Sequence, residues 1–213
     1  DNNSEYLHYF EFNGGFRPHI HSEAPENGER FSISQWFHFA MTRDGQSGDW
    51  ITYVNGEQVD SGRLGNGSLE VANNGLVLGQ DQGRVEGGFQ RDQALRGNLD
   101  EMRIWSLVRT PEQIRQFAHA QVSINSRGLH AYYTFDEGEG QVLGDATANN
   151  FDGRLGEEDG EDGDDPGWVN STAPIYGGIV EISAEAITFG PIVQDQPTEF
   201  IIQIENLSDI DDD

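Results

Sequence analysis

The chain has 213 residues, of which 38 are acidic and 12 are basic, and its formal net charge at pH 7 is −26. A surface with this charge repels the phosphates of nucleic acids and of anionic membranes, which excludes both as partners. No stretch approaches the roughly 18 apolar residues that a membrane-spanning helix needs, so membrane insertion is excluded too. Disulfides are excluded because the chain contains no cysteine.

Short apolar and aromatic stretches, separated by turns rich in glycine and asparagine, predict an all-β chain. The most specific turn signal is Asn55-Gly56, because this dipeptide favours the two-residue turn of a β-hairpin. The predicted strands are residues 5–12, 16–22, 36–43, 50–54, 57–62, 68–72, 75–80, 98–105 and 129–135.

One helix is predicted, and it begins after Thr110 and ends near residue 120. Thr110 supplies a capping hydroxyl, Pro111 suits the first helical position, and Gln113 stands at the capping-box position. Ile114 and Phe117 then face the core.

The composition changes after residue 155. Residues 156–167 are almost entirely glycine and acid, which cannot form a core, so this stretch is a linker or a cation-loaded loop. Residues 168–213 contain two further strand-like runs, 179–189 and 198–205, and we expect them to be the incomplete start of a second small β unit.

Several short motifs follow one another in an ordered set. They are Trp36-Phe37-His38-Phe39-Ala40, Thr42-Arg43-Asp44-Gly45, Tyr53-Val54-Asn55-Gly56, Leu78-Gly79-Gln80-Asp81-Gln82, Gly97-Asn98-Leu99-Asp100-Glu101, Arg103-Ile104-Trp105 and Thr110-Pro111-Glu112-Gln113-Ile114. The set resembles laminin-G-like jelly rolls, and its last three motifs resemble those of pentraxins, which share this concanavalin A-like fold.

The resemblance covers roughly residues 1–155 and implies a two-sheet antiparallel jelly-roll sandwich with one short helix. The usual binding surface of such domains is the concave sheet with its rim loops. Such domains carry further strands ahead of the segment that matches residues 5–12. Residues 129–153 are also similar to a motif that opens or closes a module, so we expect the chain to be cut from a longer protein.

The pentraxin resemblance also implies a calcium loop at residues 81–93. Asp81 would bind through its carboxylate, Gln82 through its backbone carbonyl, and Gln90 and Gln93 through their amide oxygens. Calcium takes about six to eight oxygen ligands of these kinds.

Two further positions of this implied site are Asp1 and Asn2, which precede the first strand where the family places an acid–amide pair. Gly83 and Gln90 stand where the family carries acids, so we expect weaker binding or a single ion. The alternative is a solvated glycine-rich loop without metal.

A second possible metal cluster consists of Asp136, Asp145 and Asp152, with Glu137 beside them; an ordinary acidic surface is the alternative. His19 and His21 share one strand face, but no third zinc ligand is evident. Asn-x-Ser/Thr sequons, which matter only if the source glycosylates asparagine, occur at Asn2, Asn66, Asn170 and Asn206.

No catalytic residues are predicted. A glycosidase needs two carboxyl groups on either side of the scissile bond, whereas Asp100 and Glu101 are expected to point to opposite faces of a strand. Trp36, Trp50 and Trp105 fall in strand patterns, so core packing is favoured over sugar stacking.

Two functions are consistent with these observations. The first is an extracellular, calcium-associated binding or adhesion module that recognises carbohydrate or another surface protein. The second is a structural subunit of an extracellular assembly or filament, held together by strand pairing with copies of itself or with neighbouring modules. All 12 basic residues are arginine, and the acidic surface fits a high-salt environment, calcium binding, or both.

Overall fold

The computed structural model describes residues 6–11, 15–20, 35–65, 67, 76–80, 88–90, 92, 94–156, 160 and 162–175. The strands are β1 (Tyr6–Glu11), β2 (Gly15–Ile20), β3 (Phe39–Arg43), β4 (Asp49–Val54), β5 (Glu57–Arg63), β6 (Met102–Trp105), β7 (Leu129–Tyr133), β8 (Val142–Leu143) and β9 (Gly153–Arg154), and the helix is α1 (Pro111–Gln116). All strand pairs in these ranges are antiparallel: β1–β2, β3–β4–β5, β6–β7 and β8–β9. No helix in this part of the chain is long and apolar enough to cross a membrane.

Most predicted strands are present, and their ends are the parts that differ. The predicted strand 75–80 is wrong in its described part, residues 76–80, which is irregular and contains Gly79 at φ +76°. The predicted strand 98–105 begins only at Met102. The predicted strand 68–72 and the runs 179–189 and 198–205 lie outside the described residues.

The Asn55-Gly56 turn joins β4 to β5 as predicted. Both residues have positive φ, +51° and +80°, as the tight hairpin turn requires. The Asn55 side chain accepts a hydrogen bond from the His38 backbone N–H at 2.9 Å, and the Asn55 backbone N–H donates to the His38 carbonyl at 2.8 Å. The turn therefore also fixes the residue that precedes β3.

Helix α1 has the predicted capping box but is shorter than predicted. The Gln113 N–H donates to the Thr110 hydroxyl, and the Gln113 side chain accepts from the Thr110 N–H. The helix ends at Gln116, and the carbonyls of Phe117 and Ala120, which follow it, accept hydrogen bonds from the Arg103 guanidinium at 3.0 and 2.7 Å. A side chain of β6 thus satisfies carbonyl groups after the helix.

Two clusters of buried apolar side chains are found among the described residues. The first contains Trp50 and Leu64 with Met41 packed against them, and the second contains Val122, Leu129 and Tyr132 with Trp105 and Phe117 packed against them. Trp50 is 2% exposed, which confirms its predicted place in the core. The second cluster links β6 and β7 to the segment after α1, and this is the part of the fold that positions the site described below.

We predict that Gly56→Ala destabilises the fold more than Gly138→Ala does. A Cβ at Gly56 would lie 2.9 Å from the Arg115 Cα atom, whereas nothing lies within 4 Å of a Cβ at Gly138, whose φ of +73° is similar. We expect a loss of about 1 kcal/mol at Gly138 from the left-handed backbone alone, and about 1–3 kcal/mol more at Gly56 from overpacking. Urea unfolding measures both, and equal losses would contradict the packing of α1 on this turn.

Candidate functional site

A cleft of about 290 Å³ lies where β6 begins and β7 ends. The two strands are antiparallel with Met102 opposite Tyr133, so the residues before β6 and after β7 leave the sheet side by side. The lining residues are Asp100, Glu101, Gln121, Asp136, Ser171, Ala173 and Ile175. Carboxylate, amide and hydroxyl groups predominate, and such groups bind polar ligands by hydrogen bonds.

Asp100 and Glu101 both line this cleft, and the prediction that they belong to a strand is wrong, because the strand begins only at Met102. They precede β6, and Glu101 has φ +55°, in the left-handed region that residues other than glycine seldom adopt. This backbone conformation breaks the alternation of side chains that a strand would impose.

The Glu101 carboxylate is buried and fully engaged. It accepts from Arg103 Nη2 at 2.5 Å, from the Tyr132 hydroxyl at 2.5 Å and from Gln121 Nε2 at 3.3 Å. The side chains of Arg103 and Glu101 are only 10% and 8% exposed. Burial, followed by the hydrogen bond and negative charge of Glu101, raises the pKa of Tyr132 to about 12, so its hydroxyl remains a donor at neutral pH. Glu101 thus fixes the floor of the cleft.

Residues 168–175, which we call the strap, contact the first module although the sequence assigned them to the second unit. Trp168 Nε1 donates to the Gly140 carbonyl at 2.7 Å. The Ser171 hydroxyl donates to Asp100, and Trp36 Nε1 donates to the Thr172 hydroxyl at 3.0 Å. The strap therefore contributes one wall of the cleft.

His38 is a neutral histidine close to Arg103. Burial, followed by the charges of Arg103 and His119, lowers the pKa of His38 from 6.5 to about 4. Its Nδ1 atom is buried and has no hydrogen-bond partner among the described residues. Acidification therefore places an uncompensated charge beside Arg103.

Asp145 has a structural role in the second predicted metal cluster. Its carboxylate is buried and accepts from the backbone N–H groups of Tyr132, Thr147 and Phe151, at 3.0, 2.9 and 3.1 Å, and from the Thr147 hydroxyl at 2.9 Å. Burial alone would raise the pKa of Asp145, but these hydrogen bonds lower it below its usual value of 3.8. The carboxylate fixes the loop at residues 144–151 on β7.

The other members of the predicted cluster do not converge with Asp145. Asp152 accepts from the Asp145 backbone N–H at 2.8 Å, Glu137 accepts from the Gly144 N–H at 2.7 Å, and Asp136 lines the cleft. Across the described ranges, no group of three or more histidines and acids is placed to hold a metal ion. Hydrogen bonds from backbone N–H groups account for the positions of Asp152 and Glu137.

Most of the implied calcium loop lies outside the described residues. Gln90 is described and exposed, whereas Asp81, Gln82, Gln93, Asp1 and Asn2 are not described. Among the sequons, Asn170 is exposed and directly precedes Ser171 and Thr172. The asparagines of the other three sequons, Asn2, Asn66 and Asn206, fall outside the described ranges. His19 lies in β2, and His21 is not described.

The sequence analysis missed Gln121, Ser171 and the Arg103–Glu101 pair as site residues. Opposite charges two residues apart are a local signal for such a pair, because they share one face of a strand. No local sequence pattern identifies Ser171 as a site residue, since its partner Asp100 lies 71 residues away in the chain.

A family model of laminin-G type, described as the concanavalin A-like lectin/glucanases superfamily, matches residues 2–115. The chain is 33% identical over 94 residues to the sushi, von Willebrand factor type A, EGF and pentraxin domain-containing protein 1 of Rattus norvegicus, covering 44% of this chain and 3% of that protein. It is 30% identical over 99 residues to C-reactive protein of Sus scrofa, covering 46% of this chain and 39% of that protein.

Among solved structures, a proposed carbohydrate-binding protein from Bacteroides ovatus matches with a TM-score of 0.54 and 27% identity, over 64% of this chain and 39% of that one. The chain thus spans less than half the length of each of these three proteins. The matches confirm the predicted laminin-G-like and pentraxin resemblance and the predicted all-β, concanavalin A-like fold with very little helix.

We predict that Asp145→Asn costs about 3 kcal/mol of unfolding free energy at pH 7, because the new amide N–H groups face backbone donors. The low pKa of Asp145 means that its stabilisation is complete above about pH 4 and is lost as the pH falls through the folded-state pKa. The difference from wild type should therefore shrink in strong acid. Urea unfolding across pH measures it, with Asp136→Asn, at the exposed rim, as the control that should unfold like wild type.

We predict a second pH dependence from His38. Its folded-state pKa of about 4 lies below the ordinary 6.5, so the unfolded chain binds the proton first. The free energy of unfolding is then at its full value above about pH 6.5 and falls by up to about 3 kcal/mol as the pH approaches 4. His38→Gln should flatten this slope in thermal unfolding curves, while the exposed His130→Gln should leave it unchanged. Equal slopes for wild type and His38→Gln would contradict the prediction.

Proposed function

Since the chain belongs to the concanavalin A-like lectin/glucanases superfamily, we propose that it is a binding module that recognises carbohydrate. The observation that carries this proposal is the polar cleft at the ends of β6 and β7. Asp100 and Asp136 offer carboxylate oxygens, and Gln121 offers an amide. Sugar hydroxyls donate to carboxylates and exchange hydrogen bonds in both directions with amides. The Bacteroides ovatus protein, described as a proposed carbohydrate-binding protein, supports this ligand class.

Binding, and not hydrolysis, is the function that the cleft supports. A glycosidase uses two carboxyl groups that are free to act on substrate and water. In this cleft both oxygens of Glu101 accept hydrogen bonds, from Arg103, Tyr132 and Gln121, and Asp100 accepts from the Ser171 hydroxyl, so two free carboxyl groups do not face each other. We therefore assign Glu101 to holding the cleft in shape and Asp100 and Asp136 to contacting the ligand.

We further propose that the module acts outside the cell or on its surface and uses calcium. The calcium proposal rests on the sequence of loop 81–93, with Asp81 and Gln90 among the ligands. The net charge of −26 supports a high-salt setting, where roughly molar salt shortens the screening length to about 3 Å.

A structural subunit of an assembly is the second candidate. Large apolar side chains remain exposed in the described chain, with Val108 60%, Val142 57% and Val169 63% exposed. If they form one continuous patch, contacts with copies of the chain or with neighbouring modules would cover them. Ordered polymers that form without any glycan binding would favour this function over the first.

We predict that the purified chain binds glycans on an array in molar NaCl and that Asp136→Asn weakens binding about tenfold or more, as loss of a charge-assisted hydrogen bond requires. The matched control is Glu139→Gln, an exposed acid that does not line the cleft.

Chelation of calcium should lower the melting temperature of wild type but not of Asp81→Ala. Absence of binding to any glycan, or release of reducing sugar from one, would contradict the proposed function.

A further inference from the structure

The strap at residues 168–175 crosses the candidate cleft and is held there by side-chain hydroxyls. The Ser171 hydroxyl donates to the Asp100 carboxylate, and it also accepts from the Ala173 N–H at 3.1 Å. The next residue, Thr172, accepts from the indole N–H of Trp36 at 3.0 Å. Two neighbouring hydroxyl groups of the strap thus bind the Asp100 carboxylate, an acceptor, and the Trp36 indole N–H, a donor.

These two interactions are of the kind that a sugar makes with a protein. A sugar hydroxyl donates to a carboxylate, and another accepts from an indole N–H, because every hydroxyl is both donor and acceptor. A tryptophan ring also offers an apolar surface with a polar edge. Asp100 and Trp36 therefore form a pair suited to a ligand with several hydroxyl groups.

We propose that the strap is a built-in competitor for this site: Ser171 and Thr172 hold Asp100 and Trp36 until a polyhydroxylated ligand displaces them. The proposal rests on the proposed carbohydrate binding and concerns the regulation of the same cleft. It assigns Trp36, which the sequence placed in the core, to the ligand site that the open strap exposes.

The contacts of the strap allow it to open without unfolding the module. Ser171 and Thr172 are exposed, and residues 166–175 form no helix or strand. Segments with exposed hydrogen bonds and few buried apolar contacts open at low free energy. Trp168, half-buried and bonded to Gly140, keeps the strap attached at its start.

The far end of the strap has a different role from its hydroxyls. Ala173 and Ile175 are half-buried and line the cleft. They exclude water from one wall but make no polar contact with Asp100 or Trp36 that competes with a ligand. Removing only the two hydroxyls therefore tests competition while it leaves the apolar side chains of the strap unchanged.

The expected effect follows from the population of the closed strap. If the strap is closed about 90% of the time, only a tenth of the molecules are competent to bind, and the measured affinity is about tenfold weaker than that of the open site. Ser171→Ala combined with Thr172→Val removes both hydroxyls with little change of shape. We expect this double variant to bind its glycan about three- to tenfold more tightly than wild type.

The experiment measures two quantities on the full chain. Amide hydrogen exchange of residues 168–175, with the NMR signal of the Trp36 indole N–H, reports whether the strap is released, independently of any ligand. Calorimetry with the best glycan from the array reports affinity. Ser123→Ala is the matched control, because Ser123 is exposed, accepts from the backbone N–H of Asn125 and lies outside the cleft.

Faster exchange of the strap together with tighter binding is the expected result, and Ser123→Ala should behave as wild type. Faster exchange with equal or weaker binding would overturn the proposal and leave the proposed function intact, since the strap would then be part of the binding surface. Unchanged exchange would also overturn it. If neither wild type nor the double variant binds any glycan, the proposed function itself fails.

Discussion

The buried Arg103–Glu101 pair is the interaction on which the rest of the described structure depends. Arg103 reaches Glu101 before its own strand and the carbonyls of Phe117 and Ala120 beyond α1. Its guanidinium also lies 5.2 Å from the centre of the Tyr132 ring on β7. An ion pair this deeply buried is stable only when most of its donors and acceptors are satisfied, and removing one partner costs about 3–5 kcal/mol. The pair therefore fixes β6, β7 and the helix relative to one another, and the cleft is the space that remains beside it.

Features set by neighbouring residues could be predicted from the sequence, and features set by distant ones could not. The Asn55-Gly56 turn and the capping box around Thr110 depend on a few adjacent residues, and both are present. The helix ends before the predicted residue 120, and the carbonyls that follow it are bound by Arg103, a residue that precedes the helix in the chain. The kink at Glu101 is likewise a response to buried partners, Tyr132 among them, that lie far along the chain.

In the candidate site, too, features set by neighbouring residues could be predicted and features set by distant residues could not. Asp100 and Glu101 stood out as neighbouring acids, but which way each points was decided by one left-handed residue. The sequence allows Asp145 to be either a cation ligand or an ordinary acidic residue, and in the structure its oxygens accept from three backbone N–H groups and a hydroxyl. A carboxylate in a glycine-rich loop has the same sequence pattern in either case, because both uses require a negative oxygen among flexible backbone. The strap could not be predicted at all, since Trp36 and Thr172 are 136 residues apart.

The use of arginine connects the charge of the chain to this architecture. The chain has 12 basic residues against 38 acids. Ion pairs exposed to solvent contribute little to the free energy of unfolding, and the Arg63–Asp49 pair is exposed. Arg43 and Arg103 act differently: each places two guanidinium nitrogens on backbone carbonyls, Arg43 on those of Gly65 and Gly67. A planar guanidinium can donate in two directions at fixed geometry, whereas the lysine ammonium is a more strongly hydrated point charge on a flexible stem. Where one cation must bind two backbone carbonyls, as Arg43 and Arg103 do, arginine therefore fits the task better than lysine.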